Sequence, residues 1–88
     1  MLNNQPFSNH ALLRLHQRNL QKEAIYKTIE FGRKSQAKIN RTKYQLNLPC
    51  TEALVSSESF EKSVSIFVIV AEDGTIVSCW KRSCGGGQ

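Results

Sequence analysis

Polar and apolar positions along this chain change period twice, and each change marks an element. Over residues 9–18 the spacing is helical. At about 100° per residue, Ala11, Leu12 and Leu15 share one face, and His10, Arg14, Gln17 and Arg18 share the opposite one. Ser8 stands where an N-cap belongs, and Asn19 interrupts the pattern as a residue that tolerates left-handed backbone. His16 lies nearer the apolar face and is expected to pack. A second helix is expected over residues 21–31, with Ile25, Tyr26 and Ile29 as its apolar stripe. Gly32 follows at the position of a C-cap glycine, and Arg33 and Lys34 stand at the negative end of that helix dipole. Helices this short need a surface to lie on.

Period two takes over in the second half. Residues 41–48 alternate, with Thr42, Tyr44, Leu46 and Leu48 on one side and Arg41, Lys43, Gln45 and Asn47 on the other. That is a half-buried strand, and a shorter strand is expected before it at residues 35–39. Pro49 ends the pattern. Residues 50–63 are rich in Ser and Glu and read as a loop, with a fragment of strand near residues 53–55. Residues 64–71 are almost all Val, Ile and Phe, which predicts a central strand covered on both faces. Asp73-Gly74 then predicts a two-residue type I′ turn into a last strand over residues 75–82. That turn sets the register. Val70 would face Val77, Val68 face Cys79 and Ile66 face Lys81, on the side better suited to the helices. On the other side Ala71 would face Ile76, Ile69 face Ser78, Phe67 face Trp80 and Ser65 face Arg82. The fold class that follows is α+β: two N-terminal helices packed on an antiparallel sheet of three to five strands ending in a β-hairpin. One domain over residues 1–84 is expected, with residues 85–88 as a disordered tail.

Length limits the chemistry. A chain of 88 residues buries only about 60–65% of its extended surface, so a shallow groove is expected rather than an enclosed cavity. Such a groove suits a polymer or a protein better than a small cofactor, and no cofactor is expected. The net charge is +5, unevenly spread. Residues 1–50 carry nine Lys/Arg against two Glu, and residues 51–88 carry three against five Asp/Glu. A basic half of this kind favours polyanions, although a merely solvated surface accounts for the charge equally well. The three cysteines, Cys50, Cys79 and Cys84, are odd in number and follow no apolar leader, which points to reduced thiols in a cytoplasm. Cys79, Cys84 and the two histidines lack the ligand spacing of a zinc site, so no metal is expected. Cys79 is expected in the core beside Val68, and Cys50 in a loop and Cys84 in the tail have no identifiable base beside them, which argues against a cysteine nucleophile. The longest apolar run, Ile66 to Ala71, is too short to span a membrane.

Two groups of residues carry candidate chemistry. His10, Arg14 and Arg18 stand at i, i+4 and i+8, so one helical stripe presents an imidazole and two guanidiniums. Metal-independent RNA cleavage needs a base for the 2′-OH, an acid for the leaving 5′-oxygen and cations on the pentavalent phosphorane. Histidine can serve as base or acid, and arginine holds phosphate bidentately. An exposed polar helix face would show the same residues. Trp80, Lys81 and Arg82 form the second group, since an aromatic beside cations on a sheet can stack a base and hold its phosphate. A rim tryptophan with two solubilising charges is the plainer alternative. Arg41 and Lys43 could extend a basic groove.

Ser8-Asn9-His10-Ala11-Leu12-Leu13-Arg14-Leu15, then Arg18-Asn19-Leu20, then a second helix ending in Gly32, resembles a bacterial domain-of-unknown-function family. Its members open with a Ser-x-His-Ala-x-x-Arg helix, carry a second Arg four residues on, and close with an apolar hairpin. The family is grouped with the RelE-like toxins and the barnase, EndoU and colicin-type nucleases. Asn19 replaces the usual glycine between the helices, and the loop from Cys50 to Ser63 is unusually long. The resemblance covers roughly residues 8–82. It implies a toxin-like, metal-independent ribonuclease or ribosome-associated RNA-cleaving domain, with an acidic antitoxin or immunity protein as a possible partner. His10 would be the acid–base group, Arg14 and Arg18 would hold the phosphate, and Lys81 or Arg82 would stabilise the transition state. The alternatives are a non-catalytic nucleic-acid-binding module that uses the same basic surface, or an adaptor for an acidic protein.

Overall fold

The computed structural model describes residues 6–55 and 63–83. The expected tail, Cys84 and part of the long loop lie outside those residues. Seven elements follow in order: α1 (Asn9–Gln17), α2 (Lys22–Phe31), β1 (Arg33–Lys38), β2 (Arg41–Pro49), α3 (Cys50–Ala53), β3 (Ser63–Ala71) and β4 (Ile76–Ser83). The strands form one antiparallel meander in the order β1-β2-β3-β4. The α+β architecture read from the sequence is therefore the observed one.

The local signals acted as their chemistry requires. The Ser8 hydroxyl accepts from the Ala11 amide at 3.0 Å and caps α1. Asn19 takes φ 59°, the left-handed conformation that lets the chain reverse between the helices. The face of β2 and β3 that meets the helices is Leu46, Leu48, Val64, Ile66, Val68 and Val70. It closes over Ala11 and Leu15 of α1, Ala24 and Ile25 of α2, and Cys50 and Ala53 of α3. Each fully buried aliphatic side chain there contributes roughly 1.5–3 kcal/mol.

Five expectations need correction. First, the buried stripe of α2 is Ala24, Ile25 and Thr28, while Tyr26 and Ile29 are only half-buried. The small residues let the helix approach the sheet. Thr28 can be buried because its hydroxyl donates to the Ala24 carbonyl at 2.7 Å. Second, His16 is exposed, because α1 rides over the edge strand β4 and buries only a narrow stripe. Third, Cys50 is not in a loop. It opens α3 and is buried, and the segment after it is tied down by Gln21, whose side-chain amide donates to the Leu54 carbonyl at 2.7 Å. Residues 50–53 are thus helical, and Leu54 makes an isolated bridge with Leu20. Fourth, β3 is central, but the helices cover one face of it only; on the other, Phe67 is buried among side chains of the sheet itself.

The fifth correction concerns the β3–β4 turn. Only Gly74 has positive φ, at 93°, whereas a type I′ turn needs it at both central residues. The Gly74 amide donates to the Ala71 carbonyl at 2.9 Å, and the Ala71 amide donates to the Thr75 carbonyl at 2.8 Å. Glu72, Asp73 and Gly74 therefore form a three-residue loop with glycine in the left-handed position. The Asp73 carboxylate accepts from the Thr75 amide at 2.9 Å, which holds its carboxyl below the usual value. Val70 consequently faces Ile76 instead of Val77. An irregularity between Ile69 and Val70 then restores the expected register, so Ile69 faces Ser78, Phe67 faces Trp80 and Ser65 faces Arg82.

Gly32 also differs from expectation in its reason. Its φ is −80°, ordinary for any residue. A side chain is excluded by space instead: a Cβ would sit 2.5 Å from the Gln45 carbonyl oxygen and closer still to that of Thr28. Both obstacles are backbone. Gly32→Ala is expected to cost about 1–3 kcal/mol, read as a lower urea midpoint at unchanged m-value; an unshifted midpoint would refute the close approach.

Candidate nucleic-acid interface

The face of the sheet turned away from the helix core carries Arg33 and Ser35 of β1, Arg41, Lys43, Gln45 and Asn47 of β2, Ser65, Phe67 and Ile69 of β3, and Ser78, Trp80 and Arg82 of β4. The four strands contain Arg33, Lys34, Lys38, Arg41, Lys43, Lys81 and Arg82 and no carboxylate. The described acids lie on helices and in the hairpin turn: Glu23, Glu30, Glu52, Glu72 and Asp73. The described acids are thus kept off the strands, while cations stand on the sheet and also on α1 and α2.

At the centre of the open face Phe67 and Trp80 stack, with ring centroids 5.2 Å apart and planes within 5°. The Lys43 ammonium lies 5.8 Å from the Phe67 centroid, and the Arg82 guanidinium carbon lies 5.7 Å from it. Phe67 is 8% exposed, so these neighbours close over it, whereas Trp80 is half-buried. Because β4 is an edge strand, no further strand of the sheet covers the indole on its outer side. Ser65 donates to the Asn47 side-chain carbonyl beside the stack.

One rung further along the sheet, the Ile69–Ser78 pair floors a groove of about 310 Å³. His10, Lys38, Arg41, Ala37 and Val77 complete its lining. His10 is delivered by the first turn of α1, whose position is set by the Ser8 cap and by strand-like bonding of residues 6–8 to Ile76: the Ser8 amide donates to the Ile76 carbonyl at 2.9 Å, and the Ile76 amide donates to the Pro6 carbonyl at 2.8 Å. Lys38 and Arg41 flank the tip of the β1–β2 hairpin, where β1 is irregular between Gln36 and Lys38 and Asn40 takes φ 66°.

The structure brings together some of the residues singled out from sequence and separates others. Arg14 reaches His10, its Nε donating to the imidazole Nε2 at 3.5 Å. Arg18, at the C-cap of α1, is exposed and does not line the groove. Arg82 lies on the open face with Trp80 and Lys43, while Lys81 faces Ile66 on the helix side. Lys81 and Arg82 therefore leave opposite faces of one strand and cannot both line one groove. Lys38 was not foreseen from sequence, because nothing in the pattern indicates that the hairpin tip meets His10. Cys79 is fully buried, and its thiol donates to the Ala11 carbonyl at 3.7 Å.

A roomier concavity, about 590 Å³, sits at the same end of the sheet and is lined by Lys34, Thr42, Tyr44, Val70 and Glu72 among others. It shares Arg41 with the groove and sets the Glu72 carboxylate beside Lys34 and Arg41, and it holds no imidazole or thiol that could move a proton. Among the described residues no three His, Cys, Asp or Glu side chains converge as metal ligands would, and no helix is long and apolar enough to cross a membrane.

No family model, curated protein or solved structure matches the chain.

Proposed function

We propose that this chain is a cytoplasmic RNA-binding domain that holds single-stranded RNA across the open face of its sheet. The observation that carries this is the Phe67–Trp80 stack set among Lys43 and Arg82 on a sheet whose strands hold cations and no acid. Aromatics on a sheet surface stack bases, and the surrounding cations neutralise phosphates. The test uses the single tryptophan of the chain as its own probe. Titration with a short single-stranded RNA is expected to quench Trp80 fluorescence, with log affinity falling linearly as log salt rises. The Trp80→Leu variant, followed by fluorescence anisotropy of a labelled RNA, is expected to bind about 5–100-fold more weakly, the worth of one stacked base. Absence of binding at low salt would overturn the reading.

A second reading, metal-independent cleavage of the bound strand, is favoured by one specific observation: His10 lines the groove beside Lys38 and Arg41. In that chemistry the 2′-oxygen attacks the adjacent phosphorus while His10 takes its proton. The bond from phosphorus to the 5′-oxygen breaks, leaving a 2′,3′-cyclic phosphate, and the departing oxygen receives a proton from the Lys38 ammonium or from water. Arg41 would hold the phosphorane charge, the role that the family resemblance implies for Lys81 or Arg82. A 2′-deoxy substitution at the scissile position would block the step.

A further inference from the structure

We propose that the open face is a two-part nucleotide site, in which Trp80 receives a base and the His10–Lys38–Arg41 groove receives the phosphate attached to that nucleoside. This rests on the RNA-binding reading and specifies its smallest ligand, a nucleoside monophosphate rather than a free nucleoside or a long backbone.

The spacing supports it. Phe67–Trp80 and Ile69–Ser78 are successive same-face rungs of one hairpin, two residues apart on each strand. Two residues of strand advance about 6.5–7 Å, a distance that a nucleoside spans between its base and its own phosphate. Ser78 is therefore the shared boundary, flooring the groove on one side and adjoining Trp80 on the other. Trp80 has its inner face occupied by Phe67, so a base has the outer part of the indole to meet. The groove supplies an ammonium, a guanidinium and an imidazole, while the acids nearest in sequence, Glu72 and Asp73, do not line it. Arg41 can hold a phosphate bidentately, and Lys38 acts as a point charge. Lys43 and Arg82 flank Phe67 from its two sides: Lys43 pairs with Ile69 in the rung of the groove floor and can assist the phosphate, whereas Arg82 pairs with Ser65, two rungs away, and serves the base end or the next phosphate along the strand.

The experiment compares uridine, uridine 3′-monophosphate, uridine 5′-monophosphate and an eight-nucleotide oligouridylate, all by Trp80 quenching at low salt. At least one monophosphate is expected to bind about tenfold or more tightly than uridine, the gain expected of a charge-assisted phosphate contact. Inorganic phosphate is expected to compete with it. Lys38→Ala and Arg41→Ala should abolish that gain while leaving uridine binding unchanged; thermal melts of both variants confirm that they fold. If the oligouridylate quenches but uridine and both monophosphates bind equally, the phosphate subsite is refuted and the RNA-binding reading survives. If the oligouridylate itself fails to quench, the underlying reading fails with it. A phosphate gain that persists in both variants would place the subsite elsewhere and overturn the assignment.

Discussion

On the reading that the bound strand is cut, His10→Ala is expected to slow RNA cleavage by about 10²–10⁴-fold, the contribution of a single positioned acid–base group. At 1.36 kcal/mol per tenfold this is about 3–5.5 kcal/mol of barrier. The same substitution should leave folding nearly intact, and RNA affinity should fall far less than the rate, because Lys38 and Arg41 remain in the groove. His10 is exposed on the first turn of α1, and exposed substitutions change stability by no more than about 0.5 kcal/mol. His16→Ala is the matched control. His16 is exposed too, but it lines a separate cleft with Leu15, Asn19, Leu20, Lys22 and Val55, so neither rate nor stability should change. The assay is cleavage of a defined single-stranded RNA by purified protein, with and without EDTA. Equal cleavage by wild type and His10→Ala would remove His10 from the mechanism. A wild type that binds RNA without cutting it would leave the open face as a binding surface only, and loss of cutting in EDTA would mean that a metal supplies part of the chemistry.

The second large effect concerns Cys79 and alkaline pH. The side chain is wholly buried under α1, and burial pushes its thiol up to about 11, with the positive charge of Arg14 acting in the opposite direction. In the unfolded chain a cysteine titrates near about 8.5. The folded state therefore holds its proton longer than the unfolded state. Stability from this group is fully present below about pH 8.5 and is lost as pH rises through the folded value. The loss approaches about 3 kcal/mol at 1.36 kcal/mol per pH unit. Other groups titrate in the same range, so the measurement is a difference. Urea unfolding of wild type and Cys79→Ala at pH 7.5, 9 and 10.5 should show wild type losing more of its stability than the variant does. Parallel losses would mean that the thiol does not titrate through folding. The same burial makes Cys79 a packing residue, as its place in the apolar pattern suggested, and no nucleophile.

The chain's own pattern determined the two long helices, the four strands and the two faces of the sheet, but not the short helix α3. The reason is local: a side chain in a strand alternates sides with period two, so the run from Val64 to Ala71 and the alternation from Thr42 to Leu48 assign each residue to a face wherever the strand is placed. Ser8 and Asn19 are legible for the same reason, since a cap or a left-handed turn is decided within a few residues. Phe67 beside Trp80 was legible too, but through two deviations that offset each other. The loop has three residues instead of two, and the irregularity at the start of β4 returns the register. Tertiary structure alone decided the rest. How far α1 sits over the edge of the sheet left His16 exposed, and how closely α2 approaches β2 buried Thr28 and excluded any side chain from Gly32. The groove belongs to this second group. His10, Lys38 and Arg41 come from a helix start and from both sides of a hairpin tip, and they meet because the β1–β2 tip reaches the end of the sheet where α1 begins. No periodicity encodes that meeting. It depends on how the elements pack against one another over the whole fold, whereas sequence spacing reports only what lies within each element.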